Sequence, residues 1–293
     1  MKTIDRKTFL KELSLLASVP FSLEKDAIHT LFHKKASFQL GFVTYLWGKD
    51  WDVPTLIKNC TDTQIHGVEL RVEHGHKVMP ELNPTQRLEV RKRFADSPVK
   101  LIGLGTNQQF DFPDAYKLKA SMERAKEFVR LSADVGGSGV KVKPNALHKE
   151  VPTEKTLAQI GASLKELAAY AADFNQQIRL EVHGAETQEL PNIKQIMDFA
   201  NHPNATICWN CNPQDLNGQG FEYNFNLVKN GFGATCHVRE LDRTDYPYKA
   251  LLTNLAKMNY NGWVLLECHT NPNDKVKSMM EQRLVFNRMI AEI

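Results

Sequence analysis

An alternation constrains this chain more than any other feature: eight short β-rich runs separated by longer helical stretches, starting near residue 37. The runs are FQLGFVTYL (38–46), HGVELRV (66–72), VKLIGLGT (99–106), GVKVKP (139–144), IRLEVHG (178–184), ATICWN (205–210), GATCHVRE (233–240) and GWVLLECH (262–269). Between them apolar residues recur at helical spacing. Leu118, Met122, Ala125, Phe128 and Val129 form one stripe, and Leu157, Ile160, Leu164, Leu167 and Ala171 another. YPYKALLTNLAKMNYNGW reads as the seventh helix running into the last strand. Crossovers of this length are right-handed, so successive strands run parallel. Eight such units close into an α/β fold, a (βα)8 TIM barrel. The runner-up, an open doubly wound sheet, would usually carry a Gly-rich phosphate loop after its first strand, and YLWGKDW is not one. The expected organisation is an N-terminal extension, residues 1–36, and one barrel domain, residues 37–293.

The totals exclude several classes. Lys+Arg 37 against Asp+Glu 34 leaves +3, with the charges interspersed; that disfavours a nucleic-acid partner held by bulk electrostatics. No apolar run approaches the roughly 18 residues that a membrane span needs. Cys208 and Cys211 form a C-x-x-C, but residues three apart in a strand face opposite sides. They read as small buried hydrophobes, not as a redox or zinc pair. At the N-terminus, DRKTFLKELSLLASVPFSL carries Arg6-Lys7, then Phe9-Leu10-Lys11 and a mainly apolar stretch over 13–23. It resembles a degenerate twin-arginine export signal, which would imply a periplasmic protein. A short amphipathic helix on a cytoplasmic protein is the other reading.

Active sites of such barrels lie at the C-terminal ends of the strands. Parity there is informative. Glu181 and His183 share one face of the fifth strand, and Cys208, Asn210 and Asn212 one face of the sixth. His237 and Arg239 share a face of the seventh, Glu267 and His269 of the eighth. The opposite parity is mostly Leu, Val, Ile and Trp, as a helix-facing side requires. Two facing glutamates cannot both be buried ionised without a counter-charge, and a divalent metal supplies one. Lys141 and Lys143 point inward from the fourth strand. Lys141 is expected to pair with Glu69 or Glu181, and Lys143 to act at the mouth as an acid/base or oxyanion partner. Glu69, Arg71 and Glu73 share a parity, followed by His74 and His76 in a loop. Trp47 and Phe110 follow the first and third strands, where an aromatic ring could stack on a sugar or fill core.

The order Glu, Asn, His, Glu at the ends of strands five to eight resembles the xylose-isomerase-like TIM barrels. That superfamily includes sugar phosphate isomerases and epimerases, D-tagatose 3-epimerase, inosose dehydratase and endonuclease IV. The motifs carrying the resemblance are LEV at Glu181, CHVRE at His237 and LLE at Glu267. It implies Glu181, His237 and Glu267 as metal ligands, with Asn210 where the epimerases have an aspartate. An amide oxygen can still bind a hard cation, with one negative charge fewer. Mn²⁺ suits that set first, or Mg²⁺, with Co²⁺ or Zn²⁺ as alternatives. The implied chemistry is removal of a proton next to a carbonyl through an enediolate, with Glu181 and Glu267 as the proton-transfer pair. His183, Asn212, Arg239, Lys143, Arg71, His74, Trp47 and His269 are the expected substrate-facing set. A small carbohydrate is the expected ligand, with a homo-oligomer possible. Two other outcomes share the site: a lyase expelling a leaving group from the enediolate, as in 3-keto-glycoside or inosose chemistry, and a non-catalytic carbohydrate-binding barrel. An endonuclease-type trinuclear centre would need further His and acidic ligands, and the fourth strand offers lysines instead.

Overall fold

Strands β1 (Gln39–Val43), β2 (Gly67–Arg71), β3 (Lys100–Gln109), β4 (Gly139–Lys143), β5 (Gln177–Glu181), β6 (Ala205–Asn210), β7 (Phe232–Val238) and β8 (Trp263–Leu266) pair in parallel and in chain order. β8 closes on β1 through the register Gln39 opposite Trp263. This computed structural model describes residues 36–293. The twin-arginine-like stretch lies outside the described residues.

Among the described residues one α-helix follows each strand: α1 (Val53–Thr63), α2 (Pro84–Ala95), α3 (Ala115–Asp134), α4 (Thr153–Ala172), α5 (Leu190–Ala200), α6 (Phe221–Val228), α7 (Tyr248–Lys257) and α8 (Lys275–Ala291). Local chemistry sets their starts. The Asp52 carboxylate accepts from the Thr55 amide at the head of α1, Asn83 and Gln86 form a reciprocal capping box on α2, and Asp114 accepts from Tyr116 and Lys117 on α3. The expected stripes are buried, with Leu118 only partly so. Among the described residues no helix is long and apolar enough to cross a membrane.

The outward strand faces meet these stripes. Trp209 packs among Phe232, Phe225 and Phe221 at ring-centroid distances of 5.6, 5.7 and 6.0 Å. Its truncation to alanine would cost about 3–5 kcal/mol. All five cysteines are buried and free, so the C-x-x-C carries no disulfide.

The inward faces are charged where most barrels stack Val, Ile and Leu. Arg179, Glu69 and Lys141 are almost wholly enclosed. Two glycines of β3 leave them room: a Cβ on Gly105 would meet Glu69 Oε1 at 2.7 Å, and one on Gly103 would meet Arg179 Nη1 at 2.9 Å. Several β-ladders stop short of the sequence runs, whereas β3 continues past its run to Gln109. β5 stops at Glu181, β7 at Val238 and β8 at Leu266. His183, Arg239, Glu267 and His269 therefore leave from the strand–loop junctions. Side-chain acceptors replace the ladder there: Glu240 Oε1 accepts from the His269 and Thr270 amides at 3.1 and 2.8 Å.

Two aromatic residues considered for sugar stacking pack inside the wall instead. Trp47 is 2% exposed, and its indole N–H donates to the Thr270 carbonyl at 3.0 Å. Phe110 is fully enclosed. Burying a ring of this size outweighs leaving it free for an occasional ligand.

Candidate metal centre

Three ligand-type atoms, one each from Glu181, His237 and Glu267, lie within 4.8 Å of one another, and all three residues are buried. His237 Nδ1 is 3.5 Å from Glu181 Oε1 and 3.6 Å from Glu267 Oε2. Its Nε2 is 3.2 Å from Glu69 Oε1. Among the described residues, neither His237 nitrogen and neither Glu69 oxygen has an aligned hydrogen-bond partner. Buried polar atoms left this way mark a place where another group is missing from the balance. Asn210 Nδ2 donates to Glu181 Oε1 at 3.4 Å; turning the amide over would present Oδ1 to the same space.

The cluster's electrostatics are strongly coupled. Lys141 Nζ pairs with Glu181 Oε2 at 2.6 Å, with side-chain exposures of 1% and 2%. Burial alone would raise the Glu181 carboxyl, but the Lys141 ammonium beside it, helped by His237 and His183, holds it well below the usual carboxylate range. Burial likewise pushes Glu267 up, and His237 outweighs it to bring Glu267 below its ordinary value. His237 is pulled down by burial and lifted further by its surroundings, Glu69 and Glu267 among them, to well above its ordinary value.

Charge matching runs along the barrel axis. Among the described residues Arg179 hydrogen-bonds neutral groups, the Ile102 carbonyl, Ser138 Oγ and Gln177 Oε1, and Glu69 is the acid that acts on it electrostatically. Lys141 answers Glu181, and a protonated His237 answers Glu267. A divalent ion fits the donor geometry of Glu181, His237 and Glu267, and would have to displace the His237 proton. A neutral ring with Nε2–H toward Glu69 would turn the Nδ1 lone pair toward both glutamates, the carboxylate–histidine arrangement common behind metal ligands.

The other residues picked from sequence divide clearly. Arg71, Lys143, His183 and Arg239 are partly exposed at the mouth, and among the described residues His183 Nδ1 and Arg239 Nε have no hydrogen-bond partner. His269 is exposed, 5.4 Å ring to ring from Tyr45. His74 is tied through Nδ1 to the Thr44 carbonyl. His76 uses both nitrogens internally, on the Arg71 carbonyl and the Val78 amide; burial pulls it down to about 4, which makes it a loop clamp. Asn212, expected to face substrate, is 6% exposed and spends its amide N–H on the Val182 carbonyl at 2.6 Å. Its own backbone N–H goes to Asp215 Oδ2 at 3.0 Å. Asn212 thus ties the ends of β5 and β6 together.

Glu69 is the residue that sequence reasoning undervalued. Its strand parity with Arg71 was visible, but its contact with His237 crosses the barrel. The signal available was the alternating Gly103 and Gly105 of β3, which announce a large inward neighbour. A cleft of about 560 Å³ opens at the opposite end of the barrel beside Lys100, Gln177, Tyr260 and Trp263, and no acid or histidine lines it. Chemistry, not volume, locates the site.

Glu181, His237 and Glu267 thus converge at the strand ends of a closed eight-stranded parallel barrel, as a donor set of the kind that can hold a metal ion. The family model described as xylose isomerase-like TIM barrel matches residues 57–285, and the chain belongs to that family. Among solved structures, L-ribulose 3-epimerase superposes with TM-score 0.73 at 13% identity, over 87% of this chain and 95% of that one. The 3-keto-D-glucoside 4-epimerase YcjR of E. coli gives 0.71 at 11% identity, over 86% and 99%. The IOLI protein with a bound zinc atom gives 0.73 at 13%, over 87% and 99%. At such identities the likeness is one of fold. Comparison with curated proteins finds no match.

Proposed function

We propose that this protein is a divalent-metal-dependent sugar isomerase or epimerase, moving a proton on the carbon next to a carbonyl. The observation that carries the reading is the buried convergence of Glu181, His237 and Glu267, with both His237 nitrogens unsatisfied. Family membership and fold neighbours named as sugar epimerases support it.

Glu181, His237 and Glu267 would hold the ion, with Asn210 Oδ1 as a fourth donor; Mn²⁺ suits the set best. Bound there, the cation would polarise the substrate carbonyl and lower the barrel's barrier to forming an enediolate. The two glutamates are not equivalent in the proton transfer. Glu267 sits nearer the opening, with 10% of its side chain exposed, and is the better placed to take a proton from substrate carbon. Glu181 is anchored by Lys141, which keeps it ionised and oriented. For Glu181 to return a proton to the other face it first takes one from the Lys141 ammonium at 2.6 Å, and the cycle closes when Glu267 gives the proton it took to solvent and Lys141 regains one. His183 and Arg239 present unpartnered nitrogens to substrate oxygens. The lyase outcome would use the same first step, and product analysis separates the two.

The test is metal content followed by exchange. Purified protein incubated with Mn²⁺ and dialysed is expected to retain about one ion per chain, and Glu267→Gln to lose it. Ketoses incubated with loaded enzyme in deuterated water should then take up deuterium next to the carbonyl. Retention of no metal by either protein would refute the proposal and leave a carbohydrate-binding barrel as the reading.

A further inference from the structure

Two cations at the mouth converge on one neutral acceptor. Arg71 ends β2 and Lys143 ends β4, and both donate to one atom, Asn107 Oδ1, at 2.5 and 3.4 Å. Arg71 also reaches the Val72 carbonyl at 3.3 Å. Among the described residues neither forms an ion pair, whereas Lys58, Arg93 and Lys194 on the outer helices each have a carboxylate one turn away. Glu73, exposed, accepts from the Asn107 amide N–H at 3.3 Å, and Glu181 and Glu267 act on Lys143 only at longer range, without an ion pair. The carboxylates deeper in the barrel are already matched, Glu69 against Arg179, Glu181 against Lys141 and Glu267 against His237. A divalent ion in the centre would add positive charge beneath the mouth, not remove it.

Two like charges converging on a single neutral acceptor repel each other, and such an arrangement persists when a ligand supplies the balance. Burial, with Lys141 and Arg71 close by, brings the Lys143 ammonium below its ordinary value and outweighs the opposite pull of Glu181 and Glu267. The Arg71 backbone N–H donates to Thr44 Oγ1 at 2.9 Å, and the planar guanidinium offers a fork suited to an oxyanion.

We infer that the substrate of this barrel carries an anionic group, a phosphate or a carboxylate, which Arg71 and Lys143 grip at the ends of β2 and β4. The inference deepens the sugar isomerase/epimerase reading and rests on it for the identity of the site. It sets the reacting carbon toward β5–β8 and the charged end of the sugar toward β2–β4.

Calorimetric titration of the full chain with D-fructose, its 1- and 6-phosphates and a hexonate tests this. At least one anionic probe should bind about tenfold or more tightly than fructose, with an advantage that shrinks as salt rises. Arg71→Gln and Lys143→Gln should each remove most of that preference. The phosphate and hexonate arms tell the two anion classes apart. Glu267→Gln separates this inference from the metal centre: its metal is lost while the preference for the anionic probe stays. If no anionic probe binds better than fructose, or if both mouth variants keep the preference, the inference is overturned.

Discussion

Replacing Lys141 with methionine is the sharpest perturbation of this site. The side chain is 1% exposed and its ammonium lies 2.6 Å from Glu181 Oε2, itself 2% exposed. Methionine keeps the length and most of the volume, so packing changes little while Glu181 loses its partner. Removing one member of a buried pair leaves an uncompensated charge and costs about 3–5 kcal/mol, or roughly 6–20 °C in Tm for a domain of this size. The pH dependence has a definite sign. In the parent the folded Glu181 carboxyl lies well below its ordinary value, so its contribution is present above the unfolded carboxylate range and disappears as pH falls through the folded value. In Lys141→Met burial prevails, the folded value rises, and the deficit should shrink as pH drops toward 5. A divalent ion adds the decisive arm. Mn²⁺ at a hundred times its dissociation constant stabilises a protein by about 2.7 kcal/mol, and the variant, with one more net negative charge, should gain more than the parent. Urea melts of both proteins in EDTA and in Mn²⁺, at pH 5 and 8, measure all of this. A variant as stable as the parent in EDTA at pH 8 would refute the counter-charge role of Lys141. A variant that gains no more from Mn²⁺ than the parent does would refute the coupling between Lys141 and the metal.

Asn210→Asp adds a carboxylate to the donor set and should tighten Mn²⁺ binding by about tenfold or more, read by competition with a fluorescent chelator. Because an incoming ion must displace the His237 proton, Mn²⁺ uptake at pH 6 should release close to one proton, and affinity should climb with pH; a pH-independent dissociation constant would contradict this. Asp215 is buried, accepts from the Tyr246 hydroxyl at 2.6 Å, and is pushed by burial from 3.8 up to about 7. Its folded value lies above the unfolded one, so its contribution is complete below about pH 4 and fades as pH rises toward 7, by roughly 4 kcal/mol. Asp215→Asn should flatten the stability curve across that window. Asn212→Ala removes the donor to the Val182 carbonyl and should destabilise by about 1–3 kcal/mol, with the Mn²⁺ stoichiometry unchanged.

The barrel was legible in the chain itself because periodicity is local. Alternation of two and a repeat of 3.6 are written in neighbouring residues, and the right-handed crossover leaves one way to close eight units. Strand parity likewise put Glu181, Asn210, His237 and Glu267 on the inward side of their strands, as the structure has them. Arg71 and Lys143 could be placed at the mouth for the same reason. What parity could not give is distance across the barrel. Glu69 meeting His237 from the opposite wall, Lys141 choosing Glu181 over Glu69, and Arg71 and Lys143 sharing Asn107 all depend on register and shear between strands far apart in sequence. Side chains at strand ends were harder still. Asn212 and Trp47 look free in a linear reading, yet each is consumed by a backbone carbonyl, Val182 for one and Thr270 for the other. Those acceptors exist only once the strands splay and the ladder ends, because a buried carbonyl left without its ladder partner must find another donor. The sequence alone determined which residues face inward; only the folded barrel decided which of them are neighbours, and that is what turns a set of polar residues into a site.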